Sequence, residues 1–259
     1  MKSTSFIRDK YIRNLPTRFC DGCGNGIILN CFARAVDNLK FDLKNLVCVS
    51  GIGCSAWIPS PHFNSDTLHV THGRAIAYAT GIKVFQPHLN VVVFTGDGDG
   101  AGIGGNHLIH AARRNIDLAV ILVNNFTYGM TGGQVSPTTP YSYISETTIR
   151  GNPEHPFDLF ELMKAAGSQY VARTTTFHSA RLIKTIEKAM SIKGFSFVEV
   201  VSQCPTYFGR RNRLGDAVQM IHLYEQKAKS GELFLGEFER EKRPELTEEL
   251  EKLRKEGGE

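Results

Sequence analysis

Val91-Val92-Val93-Phe94-Thr95-Gly96-Asp97-Gly98-Asp99-Gly100 is a short apolar run that breaks off into alternating glycine and aspartate. Because it is apolar at every position, it predicts a strand covered on both faces, as in a parallel sheet. A second run of the same kind, Leu118-Ala119-Val120-Ile121-Leu122-Val123, ends in Asn124-Asn125, and twenty-five residues separate Gly98 from Asn124. That interval holds one helix and its return. The two strands are therefore expected to be parallel neighbours, with both polar motifs at the same edge of the sheet.

Working outward, segments 46–52, 67–71, 169–174 and 195–202 repeat the buried-strand pattern, with helical patterns over 25–39, 73–86, 104–114, 157–166 and 177–192. This alternation predicts an α/β fold: a doubly wound, mostly parallel sheet with helices on both faces and ligands at the carboxyl ends of the strands. Residues 1–16 read as an extended arm, 17–216 as the main domain and 217–259 as a helical tail, charge-rich and exposed beyond about 236. The stretch 131–156, rich in proline, threonine and serine, reads as a long irregular loop with little reason to be ordered alone.

Of the 259 residues 41% are apolar and 22% charged, the balance of a soluble globular protein. No apolar run approaches the roughly 20 residues needed to cross a bilayer, and no leader is evident, so a cytoplasmic protein without a membrane segment is expected. The formal charge of +4 is spread along the chain, which gives nucleic-acid binding no support. Six cysteines in an intracellular chain point to metal or redox roles over disulfides.

A carboxylate, an amide oxygen and a backbone carbonyl converging at the two strand ends would form a hard, oxygen-only site, which suits Mg²⁺ carrying a diphosphate. The helix near Gly104 is expected to point its first amides at that charge. Gly100-x-Gly102-x-x-Gly105 also fits the dinucleotide fingerprint. That reading is weak: two aspartates in the loop would repel a bare pyrophosphate, and no acidic residue ends the following strand to hold a ribose.

Cys20 and Cys23 form a CxxC, Cys54 follows the first strand, and Cys204 follows the last in Gln203-Cys204-Pro205. Four sulfurs from strand-end loops suffice for an iron–sulfur cluster; a lone CxxC also suits half of a zinc site or a redox pair. Cys31 and Cys48 fall inside a helix and a strand, where cysteine is usually a small buried hydrophobe.

The ordered motifs CDGCGNG, SGIGCS, THGRA, FTGDGDGAGIGGNH, NNFTYGMTGGQ and QCPT, spanning about residues 16–216, resemble the β subunit of the 2-oxo acid:ferredoxin oxidoreductases. The resemblance implies a thiamine-diphosphate-binding fold, with Ile52, Gly53, Cys54, Ser55, His72, Gly98, Asp99, Gly129 and Met130 contacting the cofactor. It implies Asp97, Asn125 and the Thr127 carbonyl as Mg²⁺ ligands, and Cys20, Cys23, Cys54 and Cys204 as ligands of one [4Fe–4S] cluster. The implied reaction is the coenzyme A-dependent oxidative decarboxylation of a 2-oxo acid with reduction of ferredoxin. The glutamate that activates the cofactor is expected on a partner α subunit, and further clusters are expected to be absent or on another, ferredoxin-like subunit.

Trp57 stands where related enzymes can carry a charged residue towards the substrate. Arg210 and Arg211, just past Cys204, suit a second carboxylate and favour 2-oxoglutarate over pyruvate or a branched-chain 2-oxo acid. Two other classes remain open: a non-oxidative thiamine-dependent decarboxylase, which would not need the cysteines, and a zinc-stabilised binding module, which would not need the cofactor.

Overall fold

The computed structural model describes residues 2–257; Met1 of the expected arm and residues 258–259 of the expected tail lie outside the described residues. Seven strands form one sheet: β1 (Leu46–Ser50), β2 (Asp66–His69), β3 (Asn90–Gly96), β4 (Ala119–Asn124), β5 (Tyr170–Thr175), β6 (Ser196–Val201) and β7 (Gly236–Glu239). Their spatial order is β2-β1-β3-β4-β6-β5-β7, all parallel except β7, which runs antiparallel to β5.

The helices are α1 (Thr4–Tyr11), α2 (Asn25–Leu39), α3 (Ala75–Phe85), α4 (Gly105–Arg114), α5 (Leu159–Ala166), α6 (Ser179–Ser191), α7 (Ala217–Ser230) and α8 (Leu246–Gly257). The central strand β4 explains why they cover both faces. Alternate side chains of a strand point to opposite sides. Ala119, Ile121 and Val123 join one core with Phe32 of α2 and Ile186 of α6. Val120 and Leu122 join the other, with Ile76 of α3, Leu108 of α4 and Met163 of α5. Each fully buried Val, Leu or Ile contributes about 1.5–3 kcal/mol, so a strand buried on both faces is held from both sides.

Three segments depart from the expectation. The first sixteen residues are not simply an extended arm: α1 is capped by Ser3, buries Ile7 and Tyr11, and is pinned to α2 by the Tyr11 hydroxyl donating to Asp37 at 3.0 Å. The tail is not wholly helical either, because Gly236–Glu239 adds a strand to the sheet. Its four residues alternate between half-buried and exposed, which leaves too faint a pattern to separate from a polar loop. Finally, residues 131–156 are knit by their own hydrogen bonds: Gly133 N–H donates to Tyr128 (2.8 Å), Glu146 N–H to Gly133 (2.8 Å), and the Asn152 amide to Thr139 (2.8 Å).

The strand order positions the site. From β1 the chain moves outward to β2, then returns past β1 to β3 and continues to β4. The loops after β1 and β3 therefore diverge, and a crevice opens between them at the carboxyl edge, the usual ligand position in such sheets. Among the described residues no helix is long and apolar enough to cross a membrane.

Candidate functional site

Gly96 is level with Val123 in the β3–β4 register, so Asp97 and Asn124 leave the sheet side by side. The chain then makes a wide irregular turn over Asp97–Ile103 before α4 begins at Gly105. The start of this turn, and not the first turn of α4 as expected, reaches the crevice: Asp97, Gly98 and Asp99, with Gly96 at the end of β3, line a cleft of about 240 Å³.

All nine residues expected to contact the cofactor, from Ile52 to Met130, line this cleft, as do Asp97, Asn125 and Thr127. Asp99 explains how the loops come together. Its Oδ1 accepts from the backbone N–H of Ile52 (3.2 Å) and of Gly73 (2.7 Å), and its Oδ2 accepts from Thr95 Oγ1 (2.6 Å). One buried carboxylate thus clamps the ends of β1, β2 and β3. Gly51 has to be glycine here, since a Cβ would stand 2.2 Å from Asp99 Oδ2. His72 Nδ1 lies 2.8 Å from Asp99 Oδ1 but out of line for a hydrogen bond, so this buried nitrogen has no hydrogen-bond partner beside the cleft.

Asp97 is buried (2% exposed) and accepts from Ser136 Oγ and Thr138 Oγ1, each 2.6 Å from its Oδ2. Burial pushes its carboxyl up to about 6, and the two hydroxyls only partly oppose this. Among the described residues no Lys or Arg forms an ion pair with it. A buried carboxylate that faces a cleft beside the Asn125 side chain and Thr127, without a basic partner, has the donor chemistry of a hard-cation site.

Nothing in the sequence singles out Tyr128, although it stands between Thr127 and Gly129. Its hydroxyl donates to the Gly98 carbonyl at 3.0 Å, and its ring meets His72 edge-on with centroids 6.0 Å apart. A Cβ on Gly98 would stand 2.3 Å from that ring. Gly98→Ala is therefore expected to displace the ring and lower stability by about 1–3 kcal/mol. Thermal unfolding checks this, and Gly98→Ala/Tyr128→Leu should recover part of the loss.

Cys20, Cys23, Cys54 and Cys204 act on one another. The Cys23 thiol is pushed up to about 12, first by burial and then by the sulfurs of Cys204, Cys54 and Cys20. Cys54 is likewise pushed up to about 12 by burial, then by Cys204 and Cys20. Backbone N–H groups of Phe208 and Tyr207 oppose the upward push of burial on Cys204. Cys31 and Cys48 lie elsewhere: Cys31 faces the Ser179 carbonyl (3.7 Å), and Cys48 accepts from Ser65 Oγ (3.4 Å). Among the described residues no three His, Cys, Asp or Glu side chains are grouped to hold a single metal ion.

Arg210 and Arg211 do not line the cleft. Arg210 is exposed, and Arg211 pairs with Glu146. Trp57, half-buried, is also outside the cleft lining.

The family model "Thiamine pyrophosphate enzyme, C-terminal TPP binding domain" matches residues 51–200, the span that carries the cleft. The chain is 50% identical to the 2-oxoglutarate synthase subunit KorB of Methanothermobacter thermautotrophicus, covering 93% of this chain and 89% of that one. It is 51% identical to the subunit of the same name from Methanocaldococcus jannaschii, over 94% and 96%. The chain belongs to the β subunits of the 2-oxo acid:ferredoxin oxidoreductases. This β subunit is accordingly part of an enzyme, and its sheet is a thiamine-diphosphate-enzyme fold. A solved relative, the 2-oxoglutarate:ferredoxin oxidoreductase from Magnetococcus marinus with 2-oxoglutarate, coenzyme A and succinyl-CoA bound, superposes with a TM-score of 0.86. It is 35% identical, and the match covers 97% of this β subunit and 90% of that chain.

Proposed function

We propose that this β subunit binds thiamine diphosphate with Mg²⁺ in the cleft, carries one [4Fe–4S] cluster beside it, and with a partner α subunit oxidises 2-oxoglutarate to succinyl-CoA. In the balanced reaction 2-oxoglutarate and coenzyme A give succinyl-CoA, CO₂ and a proton, and two electrons reduce two ferredoxins. The bound cofactors supply the nucleophilic carbon that decarboxylation of a 2-oxo acid requires and the one-electron steps that carry its electrons away.

The observation that carries this reading is the double position of Cys54. It lines the cleft with Asp97, Asn125 and Thr127, and its sulfur acts on those of Cys204, Cys20 and Cys23. Asp97, the Asn125 side chain and the Thr127 carbonyl hold the cation. Gly98 and Gly129 let the backbone close on the cofactor, and His72 lines the cleft with its buried Nδ1 turned to Asp99. Cys20, Cys23, Cys54 and Cys204 hold the cluster, their sulfurs near enough to raise one another's thiols beside the cleft.

No glutamate is among the described residues lining the cleft, which supports an activating carboxylate on the α subunit. Tyr78 and Phe85 on α3 and Ile103 beside it are exposed apolar side chains, the kind of surface a partner covers. The choice of 2-oxoglutarate rests on the named relatives, since Arg210 and Arg211 do not line the cleft.

Anaerobic co-purification with the α subunit tests the reading. Iron and acid-labile sulfide are expected in equal amounts, four of each per β subunit, with coenzyme A-dependent reduction of viologen by 2-oxoglutarate in preference to pyruvate or 2-oxoisovalerate. Zinc in place of iron, or decarboxylation without electron transfer, would replace this reading by one of its alternatives.

A further inference from the structure

A polar chain, buried except at its far end, runs from the cation-binding loop across β4, β6 and β5 on one face of the sheet to the cap of α5. Glu199 on β6 is 2% exposed; its Oε1 accepts from Asn124 Nδ2 at 2.7 Å and its Oε2 from Arg173 Nε at 2.7 Å. Arg173 on β5, opposite Glu199 in the register, donates through Nη2 to Asp158 Oδ1 at 2.6 Å, and Asp158 caps α5. On its other side Asn124 Oδ1 accepts from the Phe126 N–H at 3.2 Å and lies 2.9 Å from Thr138 Oγ1. Thr138 Oγ1 in turn lies 2.6 Å from Asp97 Oδ2.

An amide has a donor end and an acceptor end, and here the surroundings allow one orientation. Each Glu199 oxygen faces a donor, Asn124 or Arg173, and so accepts; the Phe126 N–H donates only. With the Asn124 NH₂ on Glu199, its oxygen is left to accept from the Phe126 N–H, and it competes with Asp97 Oδ2 for the single hydroxyl proton of Thr138. Turning it over would set oxygen against carboxylate and NH₂ against N–H. The Phe126 N–H is a demanding donor, because Phe126 has φ +62°, in the left-handed region that bulky residues rarely adopt. Its strained turn separates Asn125 from Thr127. A further hydroxyl, Thr139 Oγ1, donates to the Phe126 carbonyl at 2.7 Å.

We propose that Glu199, oriented by Arg173, is a positioning residue for the cation site: by fixing the Asn124 amide it holds the Phe126 turn and places an oxygen beside Thr138 that competes with Asp97 for its one hydroxyl proton. The inference rests on the reading that Asp97, Asn125 and Thr127 take the cation. It extends that site by Glu199 and Arg173, which do not line the cleft. A purely structural role for the Arg173–Glu199 pair would instead lower stability when the pair is disturbed and leave cation affinity alone.

The test uses equilibrium dialysis of thiamine diphosphate at varied Mg²⁺ with the full chain in its purified complex, and thermal unfolding of each variant. Glu199→Gln cannot accept from both Asn124 and Arg173 through oxygen, and Asn124→Asp places a carboxylate against Glu199. Each is expected to raise the Mg²⁺ concentration needed for half-saturation by about 10–100-fold, as loss of a group supporting a metal ligand does. In Asn124→Asp/Glu199→Gln the hydrogen bond re-forms with donor and acceptor exchanged, and the introduced glutamine still accepts from Arg173. Affinity should then return to within about threefold of the unmodified protein. Thr138→Val leaves the ion pair intact and cuts the link to Asp97, so it gives the same loss even if the charged variants fail to fold. Unchanged affinity in folded single variants, a double variant no better than either single one, or an unaltered Mg²⁺ titration in Thr138→Val overturns the proposal. Failure of the reading beneath it has a separate signature: the unmodified protein would bind no thiamine diphosphate under Mg²⁺, or Asp97→Asn would bind it normally.

Discussion

In Asp97→Asn, the affinity for thiamine diphosphate under Mg²⁺ is expected to fall by more than about 100-fold, beyond the range lost when a group merely supporting a ligand is removed. The substitution keeps the shape of the side chain. Ser136 and Thr138 retain an oxygen to donate to, so the loop they hold should remain in place. What is lost is the charge of Asp97, which Ser136 and Thr138 hold through one oxygen; Asp99, the other carboxylate of the cleft among the described residues, is already committed to Ile52, Gly73 and Thr95. Removing a buried charge that lacks a basic partner also relieves a cost of burial, so the thermal midpoint should hold or rise. Dialysis and thermal unfolding on the same preparation check both halves. A variant that binds the cofactor normally would place the cation elsewhere.

Replacing Cys23 or Cys204 by Ser is expected to remove the iron and abolish 2-oxo acid-dependent viologen reduction. Cys54→Ser should do the same and also change the cleft, whose lining includes Cys54. Cys20 is the exposed member of the four, and Cys20→Ser should leave a cluster that is lost most readily to oxygen. Cys31→Ser and Cys48→Ser bury a hydroxyl in place of a thiol; they should lower stability by about 1–3 kcal/mol and keep the iron. Iron analysis, visible absorbance and unfolding of the six variants separate these outcomes. A cluster that survived Cys204→Ser and vanished with Cys48→Ser would reverse the assignment.

Much of the site is legible in the sequence because strand ends in a parallel sheet share one edge. Once 91–96 and 118–123 read as buried strands, Asp97 and Asn125 have to emerge together, and the loops carrying Cys54, His72 and Cys204 have to emerge near them. Their glycine, asparagine and cysteine content marks them without any knowledge of contacts. The clamp is not legible. Asp99 is expected at the cofactor, and the structure also ties it to three strand ends, a role decided by backbone N–H groups that no residue type announces.

The same distinction separates the arm, the loop and the tail from the core. Thr4–Tyr11 is too short and polar for its helix to stand out; it is held by Ile7 and Tyr11 docking on α2. The 131–156 segment reads as irregular because its order lies in hydrogen bonds between residues without periodic spacing, such as Ser142 N–H to Asn152 and Asn152 N–H to Tyr143, both 2.8 Å.

The sequence by itself determined a doubly wound sheet, the edge at which its chemistry gathers and the residue types available there. Those follow from local patterns: apolar runs, crossovers of one helix, and polar motifs at their ends. Tertiary structure alone decided that Tyr128 packs on Gly98, that Ser136 and Thr138 hold Asp97 from 39 and 41 residues away, and that Glu199 meets Asn124 across 75. The physical reason is register: Glu199 lies opposite Leu122 of β4, and a shift of one residue would turn its carboxylate to the other face of the sheet, away from Asn124.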